Sequence, residues 1–348
     1  MPRLRRSDCS GPGILRRRRG RGFEFIDSET GQRVEEPETI QRIHELAIPP
    51  AWEDVWICPF PNGHIQATGL DARGRKQYRY HDRWRQRRDQ EKFDSMVEFA
   101  RVLPEMRERV ARDVSHKGMT RERVLACAVR LLDKGFFRVG GEDYAVENES
   151  YGLATMHKRH VKLRDGHLTF DYPSKSGQRR IQSIVDDDIH EIVSALKKRR
   201  GGGNELLAYK DGRRWADLKS ADINEYVKEV TGGDFTAKDF RTWNATVLAA
   251  VALAVSGPAA QMSKWKRKRA ITRAVKEVAH YLGNTPAVCR ASYIDPRVFD
   301  RFEDGLTIGG ALGEIGNEGD IETLHGGAEE AVLDLIAEEE SPALEKVA

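Results

Sequence analysis

The residues in this chain best suited to chemistry are a tyrosine and a scattered set of cations. Tyr293 lies in Leu282-Gly283-Asn284-Thr285-Pro286-Ala287-Val288-Cys289-Arg290-Ala291-Ser292-Tyr293-Ile294-Asp295-Pro296. A phenol can attack phosphorus and form a phosphotyrosyl ester, provided that cationic donors surround the phosphate and stabilise the charge that builds in the transition state. Upstream stretches supply candidate donors. Phe136-Phe137-Arg138-Val139-Gly140-Gly141 sets an arginine in a short apolar segment, and Phe170-Asp171-Tyr172-Pro173-Ser174-Lys175-Ser176-Gly177 sets a lysine in a tight turn. Lys238-Asp239-Phe240-Arg241-Thr242-Trp243 sets a basic pair at a helix start. An apolar helical pattern (Ile271, Val275, Val278, Leu282) runs into Gly283, a C-cap residue, and Thr285-Pro286 restarts the helix, so Asn284 falls at a junction. Tyr293, nine residues on, is expected two helical turns into the next element, near enough for its side chain and Asn284 to share one ligand.

The order Arg138, Lys175, Lys238-x-x-Arg241, Asn284 and Tyr293 resembles the type IB DNA topoisomerases, specifically the small poxvirus-like class found in bacteria. The resemblance extends from about Ile48 to Pro296, and its motifs are specific in combination, not singly. It implies that Tyr293 attacks the scissile phosphodiester, joins the 3′ phosphate and expels the 5′ hydroxyl. Arg138 and Arg241 would bind the nonbridging oxygens in the fork geometry of the guanidinium. Lys175 would protonate the alkoxide leaving group, and Asn284 would donate to a nonbridging oxygen. The residue nine before the tyrosine is His in poxvirus enzymes and Asn284 here, which keeps a hydrogen bond and removes any proton transfer. The ester conserves bond energy, so religation needs no ATP. The cations are side chains, so neither metal nor another cofactor is implied. In keeping with this, the chain has no P-loop motif and no carboxylate cluster of the kind that holds magnesium.

The implied partner is double-stranded DNA, gripped by a monomer whose two domains close as a clamp and whose hinge lies near residues 83–95. The implied location is the cytoplasm, on the nucleoid. In poxvirus-like enzymes a Gln-Tyr-x-Tyr strand lies in the major groove. The matching stretch is Lys76-Gln77-Tyr78-Arg79-Tyr80, so Gln77, Tyr78 and Tyr80 are carried over as DNA contacts, with Lys238 as a further one. Alternation puts Gln77 and Arg79 on one face and Lys76, Tyr78 and Tyr80 on the other. Strand aromatics also serve as ordinary core, and a turn lysine such as Lys175 is ordinarily solvated.

Two other readings remain open from sequence. A tyrosine recombinase or integrase uses the same chemistry, but its usual box is His-x-x-Arg where this chain has Lys238-x-x-Arg241, and its leading domain is helical. A noncatalytic DNA-binding module would need the basic body without Tyr293.

The elements that must position these groups read as an α+β chain: a small N-terminal antiparallel sheet domain and a larger, mainly helical catalytic domain with a small sheet, the fold of tyrosine recombinases and type IB topoisomerases. Strand patterns appear at Phe23-Glu24-Phe25-Ile26, Asp54 to Cys58, His64 to Thr68 and Lys76 to Tyr80, with turn signals at Pro61-Asn62-Gly63 and Asp71-Ala72-Arg73-Gly74. A charged helix is expected over 83–115. Thr120 caps the next one, whose stripe is Val124, Leu125, Ala128, Leu131 and Leu132 and whose stop is Gly135. Phe136 to Val139, Tyr151 to Thr155, His160 to Arg164, His167 to Tyr172 and Gln178 to Ile184 read as short strands, with Lys175 at a hairpin tip. A helix follows over Ile184 to Leu196, Ser220 reads as a cap, and Asn244 to Val255 is apolar all round and reads as the central core helix, ended by Gly257-Pro258. Expected domains are a disordered basic arm over 1–22, a DNA-clamp domain over 23–90, a catalytic domain over 91–305 and a disordered acidic tail over 306–348. Within that tail, Ala331, Val332, Leu335 and Ile336 carry a short helical pattern.

Charge supports the same partner. The net charge of +3 hides an asymmetry: from Asp300 onward there are 14 acidic and 2 basic residues, net −12, which leaves +15 on residues 1–299. A cationic body of this kind favours a polyanion, although charge alone also fits a solvated basic protein. The four cysteines (Cys9, Cys58, Cys127, Cys289) show no metal spacing or disulfide pattern, which points to a reducing interior. No apolar run reaches membrane-spanning length, and Arg16 to Arg19 precede no secretory h-region.

Overall fold

The computed structural model describes residues 3–257, 263–315, 324–339, 341 and 343–346. Residues 1 and 2 of the expected arm, Pro258, and 316–323, 340, 342, 347 and 348 of the expected tail lie outside them. The chain divides into two units, Met1–Lys92 and Phe93–Ala348.

In the first unit, β1 (Ile14–Arg19), β2 (Gly22–Asp27), β3 (Glu53–Ile57), β4 (Ile65–Leu70) and β5 (Lys76–Tyr80) form one antiparallel sheet in the order β2-β1-β3-β4-β5. Helix α1 (Pro37–Glu45) supplies Ile43 to a core made with Ile14, Phe25, Val55, Ile57 and Ala67. The expected disordered arm is corrected here, because its arginine run is a strand. Ile14 pairs with both Asp27 and Ile57, so β1 gains a ladder on each side. Arg16 donates to the carbonyls of Pro49 and Trp52 (2.6 Å to the latter), which converts a charged residue into a tether. Composition suggested disorder because it averages over the run, whereas backbone pairing and one inward isoleucine fix the strand.

In the second unit, α2 (Asp82–Val114) begins before the division and buries Phe93, Met96, Phe99, Leu103, Met106 and Val110 along one stripe. Helix α3 (Arg121–Lys134) starts where the Thr120 hydroxyl accepts from Arg123 N, and α4 spans Glu142–Asn148. Strands β6 (Val161–Arg164), β7 (His167–Pro173) and β8 (Arg179–Val185) form a three-stranded antiparallel sheet, followed by α5 (Asp187–Lys198). A hairpin of β9 (Ala208–Asp211) and β10 (Arg214–Asp217) leads to α6 (Ser220–Thr231). The cap of α6 is Lys219, not Ser220, whose amide and hydroxyl instead donate to Glu142. Helix α7 (Ala237–Val255) is the central one and buries Phe240, Trp243, Ala245, Val247, Ala249, Ala250 and Leu253. The chain continues through α8 (Lys264–Leu282), α9 (Pro286–Ser292), α10 (Pro296–Glu303), α11 (Gly309–Ile315) and α12 (Glu329–Ala337).

Three further expectations are corrected. Phe136–Val139 and Tyr151–Thr155 are not strands: Leu153 N and Ala154 N donate to the carbonyls of Arg138 and Val139, but Gly140 and Gly152 cross too closely for a regular ladder. The tail is not a disordered segment in its described part. Helix α12 buries Ala331, Val332, Leu335 and Ile336, and its Glu329 accepts from Arg107 and from Trp243 Nε1 at 2.8 Å. Finally, α9 is short, and Tyr293 is its C-terminal cap residue, not a residue inside a longer helix. Asp295-Pro296 ends it, because the residue before proline is driven out of the helical region, and Asp295 there (φ −62, ψ 123) caps α10.

Candidate active site

Three segments of the second unit, joined by the turn between β7 and β8 that carries Lys175, converge on one cleft. The first is the irregular stretch after α3, which carries Arg138. It is held by the crossing of Gly140 and Gly152, where a Cβ at Gly152 would lie 2.4 Å from Gly140 Cα. Gly140 also has φ +84, so glycine meets both a steric and a backbone requirement there. The second is α7, whose N-terminus is closed by Thr236 and Asp239 in a capping box and which carries Lys238 and Arg241 one turn apart. The third is the run from the end of α8 through α9 to Tyr293. Thr246 of α7 anchors it by accepting from Asp295 N at 3.1 Å.

The cleft, about 430 Å³, is lined by Arg138, Lys175, Lys238, Arg241 and Tyr293, with Tyr151 and the backbone of Val139 to Gly141 among its walls. Residues spread over 156 positions of sequence, Arg138 to Tyr293, thus share one space. Asn284 does not line it. Its Oδ1 accepts from Arg138 Nη2, so it positions the arginine from behind. Lys175 occupies a 3₁₀ turn (Lys175–Gly177) between β7 and β8 and is exposed.

The electrostatics follow from burial. Arg241 is only 3% exposed. It donates to the carbonyls of Phe136 and Leu282 (3.0 Å to Leu282), and its guanidinium carbon lies 5.4 Å from the Tyr293 ring centre. Burial, helped by the charge of Arg138, holds its pKa below the usual arginine value. Burial alone would raise the Tyr293 pKa, but the positive charges of Arg241, Arg138 and Lys238 more than offset this and hold the phenol below the ordinary tyrosine value. Arg241 Nε and Asn284 Nδ2 are buried with no hydrogen-bond partner among the described residues. Two donors are therefore left over beside the cations that gather around Tyr293.

Sequence reasoning did not find Arg180, Tyr151 or Thr246. Arg180 follows the Lys175 turn on β8 and donates to the carbonyls of His280 (2.8 Å) and Tyr281 at the end of α8. A cation just past a hairpin tip was visible as a signal, but nothing in the sequence says which carbonyls it meets.

The expected DNA contacts of the first unit lie on edge strand β5. Tyr78 and Tyr80 are 43% and 38% exposed and stack with ring centres 5.9 Å apart. Gln77 faces the other way, where its Nε2 donates to Asp71 Oδ2 at 3.0 Å. The strand thus separates the two tyrosines from the amide. Lys238 belongs to the second unit, where it lines the cleft.

Two family models match the chain: the catalytic core of eukaryotic DNA topoisomerase I over residues 81–306, and the N-terminal domain of bacterial DNA topoisomerase IB over residues 22–71. Among curated proteins, the chain is 34% identical to DNA topoisomerase 1B of Acanthamoeba polyphaga mimivirus over 289 residues, covering 81% of this chain and 85% of that protein. It is 22% identical to DNA topoisomerase 1B of Vaccinia virus (strain Western Reserve), over 68% of this chain and 72% of the viral one. Against DNA topoisomerase 1 of Daucus carota it is 28% identical, over 37% of this chain and 15% of the plant protein. No helix among the described residues is long and apolar enough to cross a membrane. With its core and its N-terminal segment each matched, and a relative of this identity covered over most of its length, the chain belongs to the type IB DNA topoisomerases.

Proposed function

We propose that this enzyme relaxes supercoiled duplex DNA by breaking one strand transiently, through a covalent 3′-phosphotyrosyl intermediate at Tyr293, without ATP or metal. The observation that carries the reading is the convergence of Tyr293 with Arg138, Arg241, Lys175 and Lys238 on one cleft. Tyr293 Oη gives up its proton to solvent and attacks the phosphorus, forming the P–Oη bond as the P–O5′ bond breaks. The adjacent cations favour the phenolate that does this. Arg138 and Arg241 hold the nonbridging oxygens as negative charge builds, Arg241 through its unpartnered Nε, while Asn284 keeps Arg138 in place. Lys175 gives its proton to the 5′ oxygen, because an alkoxide is a poor leaving group. Religation runs the same steps backwards: Lys175 recovers its proton from the 5′ hydroxyl and Tyr293 leaves as the phenolate. While the strand is open, the free end turns about the intact strand and supercoils are lost.

The active species in this reading is a monomer whose two units grip one duplex, with Tyr78 and Tyr80 touching it; a cleft lined by Arg138, Lys175, Lys238, Arg241 and Tyr293 of a single chain supports it. Phosphate contacts dominate the affinity and make it fall with salt. The test is relaxation of supercoiled plasmid in EDTA without ATP. Wild type relaxes it, at a rate linear in enzyme concentration, and Tyr293→Phe does not while still binding DNA. Relaxation by Tyr293→Phe, or none by wild type, would sink the reading.

A further inference from the structure

The last carbonyls of a helix have no partner within it and form the negative end of its dipole. At the end of α8 they are taken by arginines from three elements: Arg180 holds His280 and Tyr281, Arg241 holds Leu282, and Arg138 holds Gly283 (3.1 Å). Arg138 and Arg241 line the cleft, whereas Arg180 lies outside its lining. Arg180 pairs with Tyr172 across β7 and β8, the second pair below the turn that carries Lys175. It packs tightly at its far end as well, since a Cβ on Gly283 would come 3.1 Å from Arg180 Cδ. Other ties of this hairpin, Tyr151 N to Pro173 O at 2.9 Å and the rings of Phe170 and Tyr172 against Phe137, lead to the stretches at 151 and 137, not to the end of α8.

We propose that Arg180 is a positioning residue for the cleavage step: by bridging the carbonyls of His280 and Tyr281 it fixes the Lys175 hairpin against the chain that carries Asn284 and Tyr293. This rests on the role given above to Lys175 as the acid. The guanidinium fork suits the task because it reaches two carbonyls at once, whereas a lysine is a single point of donation. Misplacing a reacting group by about 1 Å costs roughly 10²-fold in rate.

The test uses the full chain in single-turnover cleavage of two duplexes, one native and one with sulfur in place of the 5′ bridging oxygen. A thiol has a pKa of about 8.5, so the sulfur leaves as a thiolate with no proton from an acid. Arg180→Ala is expected to cleave native DNA roughly 10²-fold more slowly than wild type and to recover to within a few-fold on the sulfur duplex, as Lys175→Ala does. Its DNA affinity stays unchanged, Arg180→Lys falls between, and Arg179→Ala, which pairs with Asp171 in the same hairpin, behaves as wild type. Rescue of Lys175→Ala without rescue of Arg180→Ala would overturn the assignment of Arg180 alone. So would a wild-type rate for Arg180→Ala on native DNA. Failure of Lys175→Ala to recover would instead remove the acid role of Lys175, and the Arg180 assignment with it.

Discussion

Tyr78 on the edge strand and Tyr293 in the cleft each have a cation over the ring at similar range, Lys76 at 5.9 Å and Arg241 at 5.4 Å. What separates them is everything around the pair. Tyr78 and its neighbour Tyr80 stand on an exposed strand face, so water screens the lysine and both rings remain open to a partner. Arg241 is buried and tied to two carbonyls, and Arg138 is tied to Gly283 and Asn284, so their charges act on Tyr293 at short range with little screening. A tyrosine beneath a cation thus stands on an open, screened face in one unit and among buried, fixed charges in the other. Access suits binding, and fixed desolvated charge suits chemistry.

The comparison breaks most visibly if the buried cation is removed. Arg241→Ala should slow single-turnover cleavage by roughly 10²–10³-fold, the usual cost of one transition-state donor, with little change in DNA affinity. It should also lower the melting temperature, because the Phe136 and Leu282 carbonyls lose their donor. Rapid-quench cleavage and thermal melts check the two effects. Lys238 lies behind Arg241 and Arg138 among the charges that lower the Tyr293 pKa. In Lys238→Gln that pKa rises, so the rising limb of the cleavage rate against pH moves to higher pH, and the rate at neutral pH falls about tenfold. A limb that moves to lower pH, or stays put, would mean that Lys238 does not act through the phenol. The smallest effect belongs to the edge strand. Tyr78→Ala with Tyr80→Ala should weaken DNA binding by no more than about tenfold and leave cleavage at saturating DNA unchanged. A lowered rate at saturation would erase the distinction between the two surfaces.

Much of this contrast was legible because it rests on short-range signals. The Pro173 to Gly177 turn marked the tip where Lys175 sits, and Gly283 with Thr285-Pro286 marked the junction at Asn284. What escaped depends on distant partners or on reading one signal over another. The apolar residues of Phe136 to Val139 suit a strand, and only the crossing of Gly140 with Gly152 shows why none forms. Asp295-Pro296 was in plain sight as a stop, yet the helical start at Pro286 suggested a longer helix for Tyr293. Glu329 meets Arg107 across 222 residues, so a tail with acidic composition read as free although α12 packs into the core. The arginines at the end of α8 were legible as cations but not as a cap, since the sequence does not record which carbonyls each one meets.

The central claim is that the buried cations of the cleft serve a covalent step at Tyr293, and the direct measurement is to trap that step. Wild-type protein mixed with nicked or suicide duplex in EDTA, denatured and digested, should yield one nucleotide-linked peptide, carrying the 3′ phosphate on Tyr293 and absent from Tyr293→Phe. A linkage on any other residue, or no covalent adduct under conditions in which plasmid is relaxed, would contradict the account.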